Sequence, residues 1–99
     1  MIVRIVTMEF KRENIEAFKK VFEEKKERIR SFSGCQYLEL LQGTDARNNI
    51  FTTYSHWQSE EDLNNYRYSD LFKETWTETK ALFSKKAVAT SFTKLHTLG

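Results

Sequence analysis

The chain contains no proline and only three glycines, Gly34, Gly43 and Gly99, among its 99 residues. That shortage excludes flexible linkers, low-complexity segments and the Gly-rich loops that cradle phosphates. No solenoid repeat is visible, so residues 1–99 read as one domain. The single cysteine, Cys35, cannot close an intramolecular disulfide and suits a reducing cytoplasm, where the protein is expected to reside. No apolar run approaches the ~20 residues of a membrane span. The opening Met1-Ile2-Val3-Arg4-Ile5-Val6 lacks the basic region and cleavage site of a signal peptide. Two histidines, without an HxH, HExxH or carboxylate cluster, give no metal signature. Nucleotide and flavin domains are too large for this length, so no cofactor is expected. The net charge is only +2 and Lys and Arg alternate with Glu, so no basic face for nucleic acid is expected.

What the chain does have is aromatic residues, 14% of the total, concentrated between Tyr54 and Phe83. Ile2–Phe10 is β-branched and apolar, a first strand. Arg12–Phe32 carries helix formers, with Ile15, Phe18, Phe22, Ile29 and Phe32 in one stripe and a charged remainder expected to be solvated. Gly34 suits the left-handed position after that helix. Cys35–Gln42 is a second strand, residues 43–49 a turn, and Ile50–Trp57 a third strand. Ser59 followed by Glu60-Glu61-Asp62 is an N-cap with first-turn acids. Two helical pieces follow, 59–68 and 69–84, with Ser69-Asp70 as the second cap, and 88–98 closes as a fourth strand. The order βαββαβ predicts an α+β ferredoxin-like sandwich whose antiparallel sheet has the first and third strands at its centre.

Simple alternation in the second strand puts Cys35, Tyr37, Glu39 and Leu41 on one face and Gln36, Leu38, Leu40 and Gln42 on the other. Both faces then carry large apolar groups, yet one layer of helices covers only one of them. A second copy stacked sheet to sheet would cover the other, which predicts a two-fold homodimer.

The strand end Tyr54-Ser55-His56-Trp57, the acidic helix start Ser59-Glu60-Glu61 and the run Tyr66-Arg67-Tyr68-Ser69-Asp70-Leu71-Phe72 resemble the antibiotic biosynthesis monooxygenase domain, a branch of the dimeric α+β barrel superfamily. The resemblance implies homodimers whose sheets pack into a barrel, and oxygenation of polycyclic aromatics without metal or prosthetic group; other members act on quinols or degrade heme. In the heme-degrading members an Asn on the first strand, a Trp ending the third and a ligand His on the last helix matter. Carried onto this chain they fall near Thr7, at Trp57 and at Trp76. Two of the three are absent, and indole offers iron no lone pair.

Trp57 is the first site candidate, as a core aromatic or as a pocket wall stacking on a flat ligand. His56 is the second, as a general base. Because neighbours on a strand point to opposite faces, the two are not expected in one pocket. His56 and His96 are expected to lie far apart within a subunit. Tyr37, Tyr54, Tyr66, Phe72 and Trp76 complete the candidate substrate pocket. Glu39 either faces the dimer interface, paired with a residue such as Arg4, or lines the pocket with a raised pKa. Cys35 has no neighbouring His that would activate it. The function expected is cofactor-independent monooxygenation of a small aromatic phenol, quinol or polyketide-like substrate. The alternatives are a non-catalytic binding module on the same barrel and a heme-binding protein.

Overall fold

A computed structural model describes all of Met1–Gly99. The elements are β1 (Ile2–Glu9), a 3-10 turn, α1 (Ile15–Arg30), β2 (Cys35–Gln42), a second 3-10 turn, β3 (Ile50–Trp57), α2 (Glu60–Arg67), α3 (Asp70–Lys80) and β4 (Val88–Thr93). The sheet order is β2-β3-β1-β4, all antiparallel, with β1 and β3 central. This is the ferredoxin-like α+β sandwich expected from the element order, with α1, α2 and α3 on one sheet face.

Both serine caps form. Ser59 Oγ accepts from the Asp62 amide at 3.1 Å, and Ser69 Oγ accepts from the Phe72 amide at the same distance. Ser69 also donates to the Tyr66 carbonyl at 2.6 Å, tying the end of α2 to the start of α3. Each cap satisfies a helix-end amide that would otherwise be orphaned. The core has two centres on the inner, helix-covered face. Met8, Phe10, Phe18 and Phe51 form one, with Phe10 and Phe18 stacked at 4.2 Å. Cys35, Trp57 and Leu63 form the other.

Several element ends differ from expectation, two of them because the backbone finds other partners. β4 stops at Thr93, opposite Ile2, because β1 has nothing further to pair with; the last bond runs from the Lys94 amide to the Met1 carbonyl. α3 stops at Lys80 and not Ser84, because Phe83 bridges to Phe10 and the Ser84 amide donates to the Glu9 carbonyl. α1 stops at Arg30, and Phe32 packs edge-on against Trp57 and Tyr66 beyond it. Gly34, at φ +91°, is left-handed as expected but sits in the turn into β2 and not directly at the helix end.

The alternation expected in β2 is corrected by a bulge. Cys35 pairs with Trp57 while Tyr37 pairs with His56, so Gln36 is the extra residue. Cys35 therefore turns inward beside Trp57, and Tyr37, Glu39 and Leu41 face outward. A second correction concerns α1. Lys25 is not on a solvated face; it is buried against α3, with its ammonium 2.6 Å from Glu74 and 3.5 Å from Glu78.

Candidate functional site

Between the inner sheet face and the three helices lies a cavity of about 350 Å³, at the small end of the ~300–1,000 Å³ typical of ligand pockets. Trp57, 1% exposed, lines it because it terminates β3 with an inward side chain. Its Nε1 donates to Ser55 Oγ, two residues back on the same face, at 3.0 Å. The indole stacks on Tyr66 at 4.9 Å and 24°, Tyr66 meets Phe72 edge-on at 5.3 Å, and Phe72 stacks on Trp76 at 5.8 Å and 11°. The helical spacing of Tyr66, Phe72 and Trp76 across the Ser69 break thus lays three rings along one wall, continuous with Trp57. Burial drives the Tyr66 phenol pKa strongly upward, so it stays protonated. Cys35, also raised by burial, stays a thiol.

Of the candidate residues, Trp57, Tyr66, Phe72 and Trp76 meet in this cavity. Tyr37, Tyr54 and His56 do not; they cluster on the outer sheet face, with ring centroids 5.1 Å from His56 to each tyrosine. There the Tyr37 hydroxyl donates to Glu39, and Lys94 Nζ lies 3.5 Å from His56 Nδ1. Glu39 therefore lies on the outer face and not in the cavity, on the side of the sheet opposite to its own chain's Arg4. The His56 pKa is lowered, first by burial and then by Lys94, against a smaller opposing effect of Glu39. His56 Nε2 is buried without a partner. The expected separation of the histidines is also corrected. β3 and β4 both run antiparallel to β1 and end at the same edge, so His56 and His96 border one outer depression.

Polar groups in the cavity are few, and sequence reasoning missed most of them. Arg4, on β1 opposite Ser55 and Ser91, lines it, as do Arg67, Thr53 and Thr75. Thr75 Oγ1 is buried without a partner. No carboxylate, imidazole or amine borders the cavity. The heme-ligand position is Trp76, and both histidines lie beyond the sheet, so these residues do not fit a heme iron. Nowhere do three His, Cys, Asp or Glu side chains gather to hold a metal ion.

The chain is a ferredoxin-like α+β domain with an aromatic-walled cavity between sheet and helices. The antibiotic biosynthesis monooxygenase family model matches residues 1–77, and the chain belongs to that family. The fold is shared with a protein of Nitrosomonas europaea named for the same family, at TM-score 0.89 and 19% identity, covering 97% of this chain and 100% of that one. A Deinococcus radiodurans protein named likewise superposes at 0.90 with 12% identity, over 100% and 97% of the two chains. A conserved protein of Methanosarcina mazei superposes at 0.88 with 22% identity, over 96% and 94%. No curated protein matches the chain by sequence. No helix is long and apolar enough to cross a membrane.

Proposed function

We propose that this protein is a cofactor-independent monooxygenase that oxidises a small hydroxylated aromatic in the cavity walled by Trp57, Tyr66, Phe72 and Trp76. The observation that carries the reading is the composition of that cavity within a monooxygenase family: flat ring walls, two guanidinium cations and no base. The substrate must then be acidic enough to lose its own phenolic proton, helped by cations and desolvation. Its anion transfers electrons to dioxygen. A ring C–H becomes C=O, the phenol becomes the second carbonyl, and the other oxygen atom leaves as water. Phenol plus dioxygen thus gives quinone plus water, the substrate supplying every electron. The protein contributes orientation against the aromatic wall and exclusion of water.

The outer sheet face supports a homodimer as the working form. It presents Tyr37, Leu41, Val88 and Phe92, between 42% and 66% exposed, around Val3 and Ile5. A second copy stacked on this face would bury them. The lone buried cysteine is compatible with a cytoplasmic location.

Oxygen uptake with a panel of polycyclic phenols and hydroquinones tests the activity. One labelled atom from ¹⁸O₂ in a quinone product, above the uncatalysed rate and lowered in Trp57→Phe, is the expected result. Binding without uptake across the panel would replace the enzyme with a binding module, the second reading favoured by the absence of any base in the cavity.

A further inference from the structure

Arg4 in a largely apolar cavity needs an explanation, because a guanidinium partly removed from water without an anion is costly, whereas Arg67 stands exposed at the rim. Arg4 and Arg67 both border the cavity, from β1 and from the end of α2. Arg4 is only partly exposed. Its Nη1 donates to Ser91 Oγ at 2.9 Å, and Arg67 Nη1 reaches Asn64 Oδ1 at 3.5 Å. Neither guanidinium is within 4.0 Å of any carboxylate, and Arg4 is the one of the two that is partly buried in that condition. Burial lowers the Arg4 pKa, and the positive charge of Arg67 lowers it further, so the two cations act on each other. A negative group between them would relieve both effects.

The neighbouring polar atoms suit an oxyanion. Ser55, opposite Arg4 in the ladder, spends its Oγ lone pair on the Trp57 indole and keeps its own proton to donate. Thr75 Oγ1 on α3 is buried and free. A planar guanidinium matches a carboxylate with two parallel N–H···O bonds, and does not match a neutral hydroxyl in that way.

From this unpaired cluster we infer that the ligand is an aromatic carboxylate, its ring lying along the wall of Trp57, Tyr66, Phe72 and Trp76 and its carboxylate held by Arg4 and Arg67. This rests on the same cavity as the proposed function and names the substrate class it takes. Arg4 and Arg67 are then specificity residues for the acid group, whatever the chemistry at the ring.

The test needs no turnover. Both tryptophans of the chain border the cavity, so quenching of tryptophan fluorescence reports occupancy. A hydroxynaphthoate and the matching naphthol share a ring system and differ by one carboxylate. At low salt the carboxylate should bind about tenfold or more tightly than the naphthol, the gain expected of charge-assisted hydrogen bonds. The preference should shrink in high salt. Arg4→Met should remove most of it by weakening the naphthoate more than the naphthol, and Arg67→Met should remove part. The wild-type comparison of the two probes stands even if Arg4→Met fails to fold. Equal binding of both probes overturns the acid assignment and leaves the aromatic cavity standing. Quenching by neither probe overturns the acid assignment together with the cavity reading. A carboxylate preference without oxygen uptake upholds the acid assignment and removes only the oxygenation.

Discussion

The indole of Trp57 lies nearly parallel to the ring of Tyr66, 4.9 Å away, and its nitrogen is bonded to Ser55 at 3.0 Å. One residue thereby serves both as a core anchor and as a cavity wall. Trp57→Phe keeps a ring but loses the hydrogen bond and leaves a partial void, an expected loss of about 1–2 kcal/mol. Trp57→Ala should cost about 3–5 kcal/mol, as large aromatic truncations do. Urea unfolding followed by circular dichroism separates the two. Equal midpoints for wild type and Trp57→Ala would show that the indole does not pack as described.

Much of this site was legible in the chain. Ser59 and Ser69 announce the helix starts, and the spacing of Tyr66, Phe72 and Trp76 places their rings together once those caps are known. Strand alternation alone separates His56 from Trp57. The rest depends on facts that alternation does not contain. The Cys35–Tyr37 bulge reverses the phase of β2, turning Cys35 in and Tyr37 out. Lys25 is polar in a charged run and becomes buried only because α3 brings Glu74 and Glu78 to it. Arg4 left a trace: it shares the phase of Ile2, Val6 and Met8 in β1, an arginine among inward apolar positions. That it lacks an acidic partner is a tertiary fact.

Gly34 is the one turn position where a side chain is excluded twice. Its φ of +91° disfavours any L-residue, and an added Cβ would run into the side chain of Asp62 at the start of α2. Gly34→Ala should therefore destabilise by about 1–3 kcal/mol. Because Asp62 belongs to the Ser59 cap, the turn and the helix start should loosen together. Amide exchange showing faster opening at residues 59–63 than in α1 is the expected signature, and uniform exchange across both helices would contradict the coupling.

His56 makes stability pH-dependent in a definite direction. Its folded pKa lies below the ordinary 6.5, chiefly through burial and secondly through Lys94. The unfolded chain then binds the proton more readily, so stability is full above about pH 6.5 and declines as pH falls through that region toward the lowered value. Tyr37, Tyr54, Glu39, Lys94 and His96 are the titratable groups around it on this face. His56→Gln should flatten the thermal midpoint between pH 7.5 and 5.5, a window above the carboxylate range. A wild-type midpoint that rises on acidification would reverse the sign and refute the assignment.

The Lys25–Glu74 pair acts in a lower window. Its hydrogen bond to Lys25 holds the Glu74 carboxyl below its ordinary 4.5, so its stabilisation is present at neutral pH and is lost as pH falls through the lowered pKa. Glu74→Gln should lower the melting temperature at pH 7, and the gap from wild type should close in acid. Lys25→Met, which keeps the buried stem without the charge, should be milder than Lys25→Ala. A Glu74→Gln gap that persists unchanged at pH 3 would mean that packing, and not the ion pair, joins α1 to α3.

The outer face carries the last prediction. Phe92 on β4 is 50% exposed and lies beside Val3, which in turn lies beside His56. A stable interface needs roughly 800 Å² per partner, and the apolar strip from Leu41 through Tyr54 and Ile5 to Phe92 crosses all four strands of the sheet. Sedimentation should therefore give twice the chain mass for the wild type. Phe92→Glu places a charge in that strip and should yield monomers that keep their circular dichroism, since nothing on the helix-covered face is touched. The aromatic-walled cavity is on that other face, so the naphthoate quenching proposed above should survive in the monomer. A wild type that sediments as a monomer at micromolar concentration would leave the outer face without the second copy proposed for it.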